Sequence, residues 1–313
     1  MSAICTLFEG NYHYGLAALV NSLHQNHFEG TIYAGYRGPL PPWAKACQTR
    51  GKVHVFKPSS SITLEFVPLQ TEIHFTNYKP TFMLSLLSEL SKEEELFYID
   101  PDIVVSAPWS FFRHWVTCGV AVCEDVNSPL SEHHPRRVGW RSFYQRHGWQ
   151  LKYRIPEQAN GGFVGVTRAH SDFLSTWKTL LDLMVPAIGG LQQSAFDRTA
   201  RTDGNSRMPF YFDRTDQDAL NCAIEASAHP ISILPASAMG FASGFTPLPH
   251  AVGQAKPWLK SYLMTWLRHG QRPSRADLAF WENVTGPVAP FSKGAIMRKK
   301  VIVKLASALS RFS

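Results

Sequence analysis

The sequence predicts an α/β fold with a mostly parallel central sheet and helices on both faces. Two observations predict it. Strand-like and helix-like stretches alternate through the first third of the chain, the order that builds parallel sheets through crossover helices. One of those strands, Leu96-Phe97-Tyr98-Ile99 running into Asp100-Pro101-Asp102 and then Ile103-Val104-Val105, is apolar and β-branched enough to be buried. It sets two carboxylates at a carboxyl strand end, where open α/β sheets bind ligands.

Composition agrees. The 313 residues are 44% hydrophobic and 18% charged, so the chain is globular and forms one large domain or two small ones. Five cysteines, Cys5, Cys47, Cys118, Cys123 and Cys222, form no CxxC pair and read as buried, reduced thiols of a cytoplasmic protein. No apolar run reaches the ~20 residues that span a bilayer, and no signal-like segment opens the sequence. The net charge of +7 is uneven. After Glu282 come Lys293, Arg298, Lys299, Lys300, Lys304 and Arg311 with no acid, so residues 1–282 carry only +1. The body is therefore not a polyanion binder, and nucleic acid is not an expected partner.

In order, residues 4–8 read as a strand, 15–23 as a helix and 31–36 as a strand. Pro41-Pro42-Trp43 suits a helix opening at 41–47. A short strand at 52–56 and a helix at 80–90 lead to the Asp-Pro-Asp strand. Further strands fall at 119–123, 160–167 and 231–234, and helices at 172–184, 216–226, near 258–268 and at 275–284. Residues 131–154, rich in Arg, His and Trp, show little periodicity and read as an irregular excursion. Residues 189–209 and 240–254 read as loops, and 286–290 as a linker, dividing a domain at 1–285 from a basic tail at 286–313.

Chemistry gathers in five stretches. In extended chain Asp100 and Asp102 project from the same face, and a hard divalent cation relieves their mutual repulsion. A plain, solvated Asp-Pro-Asp turn is the alternative. The loop after the first strand, Thr6 to Tyr12, is placed to receive a nucleotide, with Tyr12 able to stack on a base. Asn160-Gly161-Gly162 opens a strand with backbone that a ligand can approach, or marks a bulge. Asp216 reads as a helix N-cap, with Gln217 and Asp218 in the first turn ahead of Asn221. His250, Gly253, Lys256 and Pro257-Trp258 combine an imidazole metal ligand, a glycine that turns N–H groups outward and a cation for phosphate.

Together these stretches resemble the family-eight retaining glycosyltransferases, the group that includes bacterial lipopolysaccharide galactosyltransferases and glycogenin. The motifs occur in the family's order over residues 4 to about 260. The resemblance implies a GT-A fold and transfer of a hexose, with retention, from a UDP-type nucleotide sugar to a saccharide or lipid-linked acceptor. It implies Mn²⁺, with Mg²⁺ as a substitute, held by Asp100, Asp102 and His250. It assigns Thr6, Asn11 and Tyr12 to the nucleoside, Gly253 and Lys256 to the diphosphate, and Asp100 also to the ribose. Lys79 matches the family's basic residue near the donor, Asp125, Asn160 and Gly161 fall to the donor sugar, and Asp216 and Gln217 to catalysis. The family often has Ser or Thr where this chain has Gly161, and residues 131–154 match no family feature, which leaves acceptor choice to them. A nucleotidyltransferase or sugar-nucleotide hydrolase, and an inactive nucleotide-sugar-binding or glycan-binding module, are the other readings of an Asp-x-Asp site.

The tail, residues 291–313, reads as a basic amphipathic helix. On a helical wheel Lys293, Lys300, Lys304 and Arg311 fall together, roughly opposite Val301, Ile302, Leu305, Leu309 and Phe312, with Arg298 in the apolar sector. Such a helix either lies on an anionic membrane at its cytoplasmic face or packs on the domain.

Overall fold

The computed structural model describes residues 2–89, 93–193, 209–253 and 255–309. The strands are β1 (Ser2–Glu9), β2 (Gly30–Arg37), β3 (Gln48–Arg50), β4 (Val53–Phe56), β5 (Ile62–Pro68), β6 (Glu95–Ile99), β7 (Val120–Glu124), β8 (Ala159–Thr167) and β9 (Ile231–Leu234). They form a sheet ordered β3-β4-β5-β2-β1-β6-β8-β7-β9. Pairing is parallel at β1–β6, β2–β5 and β7–β9, and antiparallel at β3–β4, β4–β5 and β7–β8. The helices are α1 (His13–Gln25), α2 (Phe75–Glu89), α3 (Trp109–Val116), α4 (Pro135–Gln145), α5 (Asp172–Ile188), α6 (Thr215–Ala226), α7 (Tyr262–His269), α8 (Arg275–Asn283) and α9 (Lys293–Leu309). The expected α/β fold is present, with a mixed sheet.

The chain divides into two compact units. The first is Met1–Cys5, Gln70–Tyr98 and Arg113–Ala236; the second is Thr6–Leu69, Ile99–Phe112 and Ser237–Ser313. In the first, Phe97, Trp115 and Phe163 are buried, the last two stacked at 5.1 Å, and α5 packs on α6 through a buried Trp177. Trp177 also donates from its indole nitrogen to the Asp216 carbonyl at 3.0 Å, tying down the start of α6. In the second, a cluster of Ala18, Val104, Trp258, Tyr262, Phe280, Trp281, Ile296, Val303 and Ala306 joins α1, α7, α8 and α9.

Four expectations fail. Residues 41–47 form turns, not a helix. Trp43 is drawn inward, donating to the His13 carbonyl at 3.2 Å and packing on Phe56 and Phe66, and this tertiary contact outweighs a weak local propensity. Residues 131–154 are not irregular throughout, because α4 forms there with Pro135 in its first turn and the His134 ring accepting from the Arg136 N–H. Its buried side is Arg137, Trp140, Phe143 and Tyr144, so a guanidinium interrupts the apolar pattern. Residues 286–290 are not a free linker: the Asn21 side chain on α1 donates to the Asn283 and Val288 carbonyls and accepts from the Val288 N–H. Finally, the strand after Leu96 stops at Ile99. The Asp100 carbonyl accepts from the Ile103 N–H at 3.0 Å, closing a turn whose second residue is Pro101, the position that proline pre-shapes.

Candidate functional site

That turn builds the acidic end of a cluster in the second unit. Beyond it the chain runs beside residues 247–251. Val104 donates to the Pro249 carbonyl, Ser106 to Pro247, and Ala251 back to Asp102, with Ile103 bridged antiparallel to His250. This pairing carries an imidazole from far along the sequence to the two acids. His250 Nε2 lies 3.3 Å from an Asp102 oxygen and 4.0 Å from an Asp100 oxygen. Backbone pairing and the Phe241 ring orient His250, whose Nδ1 is buried without a partner among the described residues. The carboxylates therefore converge through a turn, not through strand alternation.

Asp100, Asp102 and His250 offer ligand atoms all within 4.8 Å of one another. One ion at ~2.0–2.3 Å from each of two ligands spans up to about 4.6 Å between them, so small side-chain adjustments complete the set. Two hard oxygens and an imidazole suit Mn²⁺ or a similar divalent ion. The residues present fit a metal.

Lys256 faces the same acids. Its ammonium contacts the second Asp102 oxygen and donates to the Ala251 carbonyl at 2.8 Å. Burial opposes the Asp102 charge, but Lys256 and then His250 outweigh it and hold the carboxyl well below its ordinary range. Burial likewise works against the Lys256 charge, and Asp102 reverses the balance and raises it. The ammonium also lies 5.6 Å from the Tyr12 ring centre, within cation–π reach. Tyr12 in turn meets Trp258 edge to face at 5.5 Å. Asn11 is exposed beside it, while Thr6 sits within β1, not in the loop, with its hydroxyl buried and unpartnered among the described residues.

Two glycines shape this unit. Gly253 has φ +92°, a conformation that other residues adopt at a cost. Gly15 on α1 was not singled out in the sequence, yet a Cβ there would lie 2.2 Å from the Pro101 carbonyl oxygen and 2.9 Å from the Trp258 ring. Its lack of a side chain lets α1 press against the metal-site turn.

The first unit holds the other expected residues. Asp216 is not the N-cap of α6; Arg214 is, and Asp216 lies in the first turn. Its carboxylate is thereby free to accept from the buried Lys79 ammonium at 3.1 Å, and the same ammonium donates to the Gly161 carbonyl at 2.8 Å. A Cβ on Gly161 would lie 2.9 Å from the Asp216 carboxylate, so a side chain there would require that carboxylate to shift from its place beside Lys79. Asn221 accepts from the Ala159 N–H and donates to its carbonyl, fixing α6 to β8. Gln217 is buried with its amide nitrogen unpartnered among the described residues.

Asp125, at the end of β7, is 1% exposed and accepts from the Asn127 backbone and side chain, from Asn160 at 2.7 Å and from Arg214 at 3.3 Å. Burial opposes its charge, but these donors win and lower its pKa. Sequence reading missed Arg214 and Arg136; the latter, on α4, contacts the fully buried Asp218, which also accepts from the Arg214 N–H. Asp218 is therefore committed to joining α4 and α6.

Comparison with solved structures places the fold. The WbbM bifunctional glycosyltransferase, an apo structure, matches over 96% of this chain with a TM-score of 0.52 at 14% identity. The chain shares its fold with glycosyltransferases. It spans about half of that protein's length, 52%. The galactosyltransferase LgtC, solved with donor and acceptor sugar analogues, aligns over 95% of this chain and 99% of its own at TM-score 0.49 and 15% identity. No protein-family model and no curated protein matches the sequence.

Proposed function

We propose that the chain is a metal-dependent retaining glycosyltransferase that moves a hexose from a UDP-type nucleotide sugar to a saccharide or lipid-linked acceptor. The observation that carries it is the meeting of Asp100, Asp102 and His250, with Lys256 and Tyr12 beside them, in a glycosyltransferase fold. Asp100, Asp102 and His250 would hold Mn²⁺ or Mg²⁺, which when bound acts as a Lewis acid on the diphosphate. Lys256 supplies a further positive charge to the departing nucleoside diphosphate, and Gly253 a backbone that turns toward phosphate. Tyr12, Asn11 and Thr6 take the nucleoside. Lys79 is assigned a place near the donor, and Asp125, Asn160 and Gly161 are assigned to the hexose. Asp216 and Gln217 are the proposed catalytic pair: the Lys79 contact keeps the carboxylate in place, and the Gln217 amide keeps a free donor. An amide is a poor nucleophile, so retention is assigned to attack from the leaving-group side, with the leaving diphosphate taking the acceptor proton.

The exposed side of α9 supports a peripheral membrane contact by the basic tail, through residues 291–313, and with it a cytoplasmic-face location and a lipid-linked acceptor. Among the described residues no helix is long and apolar enough to cross a membrane. The test of the function is release of UDP from a panel of sugar nucleotides with Mn²⁺, with and without acceptors. Release with no dependence on any saccharide or lipid acceptor would make it a hydrolase. No release from any donor, at donor concentrations where binding is seen, would make it a binding module.

A further inference from the structure

Lys256 presents a contradiction within the proposed site. A cation assigned to the diphosphate is found on a metal ligand. Its ammonium touches one oxygen of Asp102 while His250 Nε2 lies 3.3 Å from the other, so both oxygens of the more buried of the two site aspartates are engaged. The Lys256 side chain is only 9% exposed, and it contacts Asp102, the Ala251 carbonyl and the face of Tyr12. Little water is available to take the charge if Asp102 is withdrawn. Asp102 is likewise 6% exposed and depends on that cation for its balance. A divalent ion arriving alone must share Asp102 and Asp100 with the ammonium, as three positive charges against two negative.

We propose that Lys256 is a resident counter-ion of the metal site, which keeps metal affinity low until a nucleoside diphosphate arrives to take the ammonium. This inference rests on the metal-dependent reading above and deepens it, because it makes metal and nucleotide binding mutually dependent through one side chain. The diphosphate would offer the ammonium a new partner, which would release the Asp102 oxygen that Lys256 now holds. By linkage, each ligand strengthens the other by the same factor. Direct metal–phosphate contact contributes coupling of its own; the part that runs through Lys256 is what substitution removes.

Loss of the Lys256 charge should tighten the metal. Mn²⁺ binding is measured by titration calorimetry on the full chain, with and without UDP, for wild type, Lys256→Met, Lys256→Arg and Asp102→Asn. Lys256→Met keeps the stem and drops the charge. It is expected to bind Mn²⁺ alone about tenfold more tightly than wild type, with the UDP-induced gain reduced about tenfold, within the usual range of coupling. Lys256→Arg, which retains the charge, should not tighten the metal. Asp102→Asn should abolish Mn²⁺ binding and so place the measured ion at this site. Unchanged or weaker Mn²⁺ binding by Lys256→Met, with wild type binding normally, overturns the counter-ion role and leaves the metal site standing. If wild type binds no Mn²⁺ even with UDP, both fail together.

Discussion

At the scale of single residues, the metal-site turn depends on an absence. Gly15 leaves space that the Pro101 carbonyl and Trp258 fill. A methyl there meets backbone at 2.2 Å, which cannot swing aside as a side chain can. Gly15→Ala should therefore cost ~1–3 kcal/mol in denaturant unfolding, the usual penalty of overpacking, and weaken Mn²⁺ binding as well. Unchanged stability and metal affinity would show that α1 does not support the turn. Asp125 offers a second test, with the sign set by its lowered pKa. An acid whose pKa is lower folded than unfolded stabilises the protein above its unfolded value, ~3.9, and loses that contribution as pH falls through the folded value. Asp125→Asn should thus be destabilised by ~1–3 kcal/mol near neutrality, because it removes the charge that Arg214 faces and turns one of the two acceptor oxygens into an N–H donor among the Asn127, Asn160 and Arg214 donors. The gap to wild type should close below the ordinary carboxylate range. A gap that is constant from pH 7 to pH 3 would mean the Asp125 charge contributes nothing.

Among the elements, α9 separates two uses of an apolar helix face. Ile296, Val303 and Ala306 are buried in the core of the second unit, and Ile302 packs against it. Lys299 is drawn in too, donating to the Lys260 carbonyl at 3.1 Å. Met297, Val301, Leu305 and Leu309 remain exposed, at 69%, 51%, 50% and 40%, with Arg298 among them and Lys304 exposed at their flank. The wheel had put Ile302 with the exposed set, and Arg311 and Phe312 lie outside the described residues. An apolar stripe edged with cations is the chemistry of an anionic bilayer, each basic group near it contributing ~1 kcal/mol. Val301→Glu with Leu305→Glu should abolish co-sedimentation with anionic vesicles at low salt while leaving thermal stability unchanged, since both positions are exposed. Failure of wild type to sediment would leave α9 a plain surface helix.

The same elements show what was legible in the sequence. The stretches at 4–8, 15–23, 160–167 and 172–184 read correctly because their apolar residues are the ones buried. Strand β5 and helix α3 went unassigned. Helix α4 could not be read, because Arg137 on its buried side answers to Glu225 on α6, a partner far away in sequence. The acids and the imidazole were legible as chemistry. The route that joins them was not: it depends on a turn at Asp100 and on residues 247–251 pairing beside 102–106, neither of which has a local signature. The Lys79–Asp216 contact likewise became possible only because Arg214, not Asp216, caps α6.

For the whole molecule, the fold is that of glycosyltransferases at 14% identity, so the fold alone is common ground and the activity rests on side chains. The proposed function rests on Asp100, Asp102 and His250 holding a divalent ion that binds the diphosphate of the donor. The most direct measurement is UDP affinity by titration calorimetry in Mn²⁺ and in excess EDTA, for wild type, Asp102→Asn and His250→Ala. The account predicts that chelation weakens wild-type binding by at least tenfold, and that both variants bind weakly under either condition while unfolding as cooperatively as wild type. Equal UDP affinity in Mn²⁺ and EDTA, or wild-type affinity in both variants, would contradict it.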